Sequence, residues 1–143
     1  PTPLSSMAYR AVLFLVAALL CAPAFGAQTS GSAAVGATPA MAYADARTGK
    51  VFVVNVGSGR GAPATITVIE AGGRVSTVPL AVGPVHLAGS VAARKLVLAQ
   101  WGSQAAIVDM DTLRTSIVET GMGPVRTVIS EATGKAYASQ HEK

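Results

Sequence analysis

Three stretches of this 143-residue chain lie over one another without a gap. They begin at Pro39, Pro84 and Pro124 and read PAMAYADARTGKVFVVNVGS, PVHLAGSVAARKLVLAQWGS and PVRTVISEATGKAYASQHEK. Lys50, Lys95 and Lys135 coincide, and so do the amides Asn55, Gln100 and Gln140. Gly57-Ser58 answers Gly102-Ser103, and Thr48-Gly49 answers Thr133-Gly134. The similarity runs on: Val68-Ile69-Glu70 answers Ile107-Val108-Asp109, Arg74 answers Arg114, and Val82-Gly83-Pro84 answers Met122-Gly123-Pro124. Pro84 follows Pro39 by 45 residues, and Pro124 follows Pro84 by 40. The extra residues fall mainly in one loop, Gly59-Arg60-Gly61-Ala62-Pro63. An insertion confined to a loop is what a structural repeat tolerates.

Each full unit holds four short β-like runs. In the first they are Met41–Ala44, Val51–Val56, Thr65–Glu70 and Arg74–Ala81. In the second they are Val85–Ala88, Lys95–Trp101, Ala105–Asp109 and Thr115–Glu119, and the third supplies Val125–Ser130 and Lys135–Gln140. Thr48-Gly49, Gly72-Gly73, Asp109-Met110-Asp111-Thr112 and the Gly-Pro steps punctuate them as turns. With 15 Gly, 8 Pro and only 5% aromatic residues, the composition suits β-branched strands and turns better than helices. The runs are apolar almost throughout, as expected of sheets covered on both faces. Four strands per 40–45 residues is the signature of β-propeller blades. The predicted fold is therefore all-β: blade 1 over 39–83, blade 2 over 84–123 and a partial blade 3 over 124–143.

The units resemble the YVTN-type β-propeller repeats of bacterial and archaeal secreted proteins. Phe52-Val53-Val54-Asn55 stands at the family's name tetrapeptide, with looser versions at Val97-Leu98-Ala99-Gln100 and Tyr137-Ala138-Ser139-Gln140. Gly57-Ser58, the strand Thr65–Glu70 and the step Val82-Gly83-Pro84 follow the same pattern. The Asn is kept in one unit only. The resemblance implies a propeller, a fold that serves as a binding scaffold, a cell-surface module or the body of some redox enzymes. Propellers close with about 4–8 blades. Two and a half leave open sheet faces and a half-blade edge. The expectation is an N-terminal fragment; the alternative is several copies assembling into one ring.

The first segment reads as an address. Met7-Ala8-Tyr9-Arg10 is a short basic start, Ala11–Leu20 an unbroken apolar run, and Cys21–Ala27 mostly small residues around a Pro. These are the parts of a secretory signal peptide, cleaved after Ala24 or, preferably, after Gly26. The apolar run is too short to span a bilayer, which needs ~20 residues. Pro1–Ser6 precede the natural-looking start at Met7 and read as a translated fragment or an over-extended reading frame. Residues 27–38 read as a linker. The expected location is outside the cytoplasm, periplasmic or extracellular, in a bacterium. The lone Cys21 lies in the signal segment, so the remainder carries no disulfide and no Cys-based zinc site.

Candidate chemistry is sparse. In a propeller the first strand of each blade lines the central channel. Met41, His86 and Arg126 share one position there, two residues after the Pro. They are the candidate channel-facing, ligand-binding residues, suited to an anion or polar ligand; a variable position in a water-filled channel is the simpler reading. Val56, Trp101 and His141 form a second equivalent set, in which Trp101 is either a ligand platform or a cover for the core. Arg60 and Trp101 are the candidates for a loop face. The Gly57–Gly61 loop lacks the Lys-Ser/Thr of a P-loop. Asp109-Met110-Asp111 lacks the remaining ligands of an EF-hand, and its carboxylates suit turn amides. His86 and His141 have no metal-ligand spacing, and no Gly-x-Ser-x-Gly elbow is present. No catalytic residue, cofactor or metal is expected within the 143 residues. The net charge of +4 comes from scattered residues and outlines no nucleic-acid surface. The expected function is that of a non-catalytic binding or scaffold module for an unidentified ligand or protein partner. The alternatives are part of a propeller-bodied periplasmic dehydrogenase or haem-containing reductase, and a cell-surface repeat protein.

Overall fold

Val51-Phe52-Val53-Val54 and Leu96-Val97-Leu98 are runs of branched residues that pack well on a pleated surface, and they sit in the middle of sheets. The computed structural model describes residues 31–58 and 61–141. Among these it has ten strands and no helix. A first sheet holds β1 (Pro39–Ala44), β2 (Val51–Asn55), β3 (Thr65–Ile69) and β4 (Val75–Pro79). A second holds β5 (Pro84–Ser90), β6 (Lys95–Gln100), β7 (Gln104–Asp109) and β8 (Thr115–Glu119). A third holds β9 (Pro124–Ile129) and β10 (Ala136–Gln140). Within each sheet the spatial order is the chain order and every pairing is antiparallel. The all-β class and the strand-by-strand layout expected from sequence are thus observed. The signal segment lies outside the described residues, and no described helix is long and apolar enough to cross a membrane.

The first strand of each sheet starts at its proline, earlier than expected. Pro39 pairs with Asn55, Pro84 with Gln100 and Pro124 with Gln140. The register then slips by one, so Met41 faces Val54, His86 faces Ala99 and Arg126 faces Ser139. A bulge of this kind bends the strand and re-aims the side chains that follow. Beyond each hairpin the chain is tied back in the same way. Val56 N–H donates to Thr38 O at 3.0 Å, Trp101 N–H to Gly83 O at 3.2 Å and His141 N–H to Gly123 O at 3.0 Å. Gly36, from the expected linker, also lies against the first sheet, its N–H donating to Thr67 Oγ1 at 3.3 Å.

Register decides which face is buried. In the first sheet Tyr43, Phe52 and Val68 form one row, and Met41, Val54, Ile66 and Val78 the next. In the second sheet Leu87, Leu98 and Ala106 form a row beside Gly89, Leu96 and Val108. These two faces meet in one core in which Phe52, Val54, Ile66, Val68, Leu96, Leu98 and Val108 are fully buried. Each such side chain contributes roughly 1.5–3 kcal/mol. On its other face the second sheet buries Val97 and Ala99 where β9 lies against β5 and β6. All three sheets belong to one compact unit, Ala33–Lys143.

Gly89 shows how closely the first two sheets approach. A Cβ there would overlap the Tyr43 ring. Gly89→Ala is expected to destabilise the fold by about 1–3 kcal/mol, as overpacking does. Adding Tyr43→Ala should return part of that loss, read as a shift of the urea midpoint at constant slope. Equal, additive losses in the double variant would show that the two positions do not touch.

Candidate functional site

Position two after each proline falls just past the bulge, at the same register point on β1, β5 and β9. The three side chains there meet different surroundings. Met41 is partly buried against the core. His86 is partly buried between β5 and β9: its Nδ1 accepts the Thr127 backbone N–H at 3.1 Å and lies 3.2 Å from Thr127 Oγ1. A backbone N–H can only donate, so Nδ1 is the acceptor here and the ring's N–H is on Nε2. Arg126 is exposed opposite Ser139, and among the described residues no carboxylate pairs with it. His86 therefore sits beside the strand that carries Arg126, while Met41 joins the apolar side of its junction. Thr127, which sequence reasoning missed, is buried, and its Oγ1–H donates to Val97 O at 3.2 Å. The signal for it was a hydroxyl standing where the aligned units have Ala42 and Leu87.

Trp101 does not cover the core. It is 71% exposed and lines a mostly apolar groove of about 360 Å³ with Val85, Gln100, Pro124, Val125 and His141. The structure thus brings Trp101 and His141 together between the second and third sheets, and the Trp101 ring and the Val56 carbonyl both lie beside Gly83. Arg60 lies outside the described residues. The aligned amides split in role. Asn55 and Gln100 are fully buried, whereas Gln140 is exposed. Asn55 Nδ2 donates to Thr67 Oγ1 at 3.0 Å and Thr65 Oγ1 at 3.1 Å, and Gln100 Nε2 donates to Val82 O at 3.0 Å. Each holds the segment that leads into its own sheet or the strand beside it. Among the described residues the oxygens Asn55 Oδ1 and Gln100 Oε1 find no donor.

The strongest electrostatics lie at the opposite end of the first junction. The buried carboxylate of Asp45, in the β1–β2 turn, accepts from Arg94 Nη2 at 2.8 Å. Arg94, in the β5–β6 turn, also reaches Asp111 at 2.7 Å, and Arg47 reaches Asp111 at 2.9 Å. Two turns of the second sheet are thereby clamped to one turn of the first. Arg94 has φ 55°, at the aligned position where Gly49 has φ 70° and Gly134 has φ 66°. A non-glycine residue in the left-handed region costs about 1–2 kcal/mol per residue, and here the double ion pair offsets it. At the second junction Ser90 takes the place of Asp45, and its Oγ–H donates to Glu131 at 2.8 Å. The Arg94 guanidinium holds the Asp45 carboxyl far below the usual range, against the opposing effect of burial. Asp109 is likewise depressed by Lys95 and then by the Thr112 amide, and Asp111 by Arg94. Asp109 Oδ1 accepts the N–H groups of Asp111 and Thr112 at 3.0 and 2.8 Å, so this stretch caps its own turn. Among the described residues no three His, Cys, Asp or Glu side chains converge to hold a metal ion.

No protein-family model matches the chain, and no curated protein matches it.

Two expectations follow from the clamp. Arg94→Ala leaves Asp45 buried without its partner and keeps the backbone strain, a loss of about 3–5 kcal/mol. Arg94→Gly loses the same ion pairs but relieves the backbone, so it should unfold at a higher urea concentration than Arg94→Ala. The reverse order would mean that φ at this position carries no strain. As for pH, Asp45 titrates near 3.9 when unfolded and well below that when folded. The unfolded chain therefore binds the extra proton between those values. The stability due to Asp45 is complete above about pH 4 and drains away as pH falls through the folded value. Asp45→Asn should flatten the acid limb of the stability curve between about pH 4 and 2, and an unchanged limb would assign it to other carboxylates.

Proposed function

We propose that the chain is a β-propeller repeat protein working outside the cytoplasm as a binding or scaffold module. The observation that carries this reading is the succession of first strands. β5 lies beside both β1 and β9, and each sheet runs outward from its first strand in chain order. Blades around a common axis have this arrangement. The recurring bulge after Pro39, Pro84 and Pro124, and the turn-to-turn clamps at both junctions, support treating the sheets as copies of one YVTN-like unit. The basic-apolar-small order of residues 7–27 supports export. On this reading His86 and Arg126 border the channel and offer an imidazole Nε2–H and a guanidinium to an anionic or polar ligand. Met41 closes the apolar side. Carbonyl, carboxylate and phosphate oxygens are the chemistry such donors recognise.

Native mass spectrometry of the protein taken from the extracytoplasmic fraction of its source tests the reading. The expected N-terminus is Phe25 or Ala27, in a particle holding about 4–8 blades. An unprocessed chain confined to the cytoplasm would overturn the export, and a particle too small to close a ring would overturn the propeller.

A further inference from the structure

Trp101 is the chain's only tryptophan, and its ring stands 71% exposed. It forms one side of the groove of about 360 Å³ between the second and third sheets, and His141 brings a second ring to the same groove. Val85, Pro124 and Val125 make the rest of the lining mostly apolar. Ligand pockets run to roughly 300–1,000 Å³, so this groove suits one substituted ring.

One polar side chain other than His141 stands in that lining. Gln100 is fully buried and borders the groove. Its Nε2 donates to Val82 O at 3.0 Å, which leaves Oε1 as the amide's remaining polar atom. Among the described residues Oε1 finds no donor. A buried acceptor without a donor is costly, and at the border of a groove it points to a partner that brings one. The aligned Asn55 Oδ1 also finds no donor among the described residues, but there the chain lies over the amide: a Cβ on Gly36 would fall 2.8 Å from Asn55 Nδ2. The third amide, Gln140, is exposed. Gln100 differs from both, being buried, short of a donor and part of a groove's lining.

We propose that this groove binds a free aromatic ring carrying one hydroxyl, a small phenol. The ring packs against Trp101 and His141, where aromatic pairs gain beyond the area they bury, and its O–H donates to Gln100 Oε1. Because Oε1 is buried, the hydroxyl reaches it through a rotamer change in the groove wall, a fast motion for an exposed side chain such as Trp101. A hydrocarbon ring would leave Oε1 without a donor. A sugar ring can also lie on an indole, but it brings several hydroxyls to a mostly apolar lining, where each would lack a partner. The inference rests on this one junction. It uses neither His86 nor Arg126, and it depends on neither ring closure nor export.

The lone tryptophan gives a single indole N–H signal, which reports on the groove directly. Nitrogen-edited proton NMR of the full chain titrated with p-cresol should show a saturable shift of that signal. Toluene, the same ring without the hydroxyl, should bind about three- to tenfold more weakly, the loss of one neutral hydrogen bond. Trp101→Ala should keep the urea midpoint, since the ring is exposed, and weaken p-cresol binding about tenfold by saturation-transfer NMR read on the ligand. No saturable shift, toluene binding as tightly as p-cresol, methyl glucoside binding in preference to both, or binding unchanged in Trp101→Ala would each overturn the proposal. A particle too small to close a ring would end the propeller reading and leave this result standing.

Discussion

A four-stranded meander with apolar residues on both faces cannot stand alone in water; it has to be covered by something of its own width. The rest of this structure answers that constraint. Phe52, Val54, Ile66 and Val68 are fully buried because Leu96, Leu98 and Val108 of the next sheet lie over them. The second sheet buries Val97 and Ala99 in turn, with β9 against β5 and β6. Stacking by this rule propagates from sheet to sheet, each junction depending only on its two neighbours.

Apolar burial is not directional, so it does not by itself align one sheet on the next. The polar contacts at the junction ends supply that alignment. At one end the Asp45–Arg94–Asp111 clamp joins turns of different sheets, with an arginine kept in a glycine conformation by its two carboxylates. Further along the first strands, His86 and Thr127 tie β5 to β9 through backbone and side chain together. Buried Gln100 then holds the lead-in to the second sheet at Val82, while at the first sheet Thr67 Oγ1 takes both the Gly36 N–H of the lead-in and the Asn55 amide. Asp45 and Ser90 stand at matching positions, but their partners do not: Arg94 comes from the β5–β6 turn ten residues after its proline, and Glu131 from seven residues after its own.

The candidate site was only half legible beforehand. Alignment from the prolines placed Met41, His86 and Arg126 at one position, and the register agrees, because the bulge recurs in all three first strands. Alignment carried no information on what each residue meets. His86 bonds to Thr127, a residue 41 positions away, and only the packing of β9 on β5 makes that pair. Trp101 follows the same logic. Its aligned neighbours are Val56 and His141, and neither foretells a ring 71% exposed at a groove between sheets.

The sequence by itself determined the class and the order of elements: β-branched runs at a regular spacing, broken by Gly, Pro and Asp turns, admit little besides antiparallel meanders. These are local properties, set by backbone sterics within a few residues. Tertiary structure alone decided which face of each sheet is buried at which junction and why Gly89 has no side chain. It also decided how Arg94 tolerates a positive φ. Each of these depends on atoms brought together from different sheets, and side-chain volume, charge pairing and register act there across distances that no local pattern encodes.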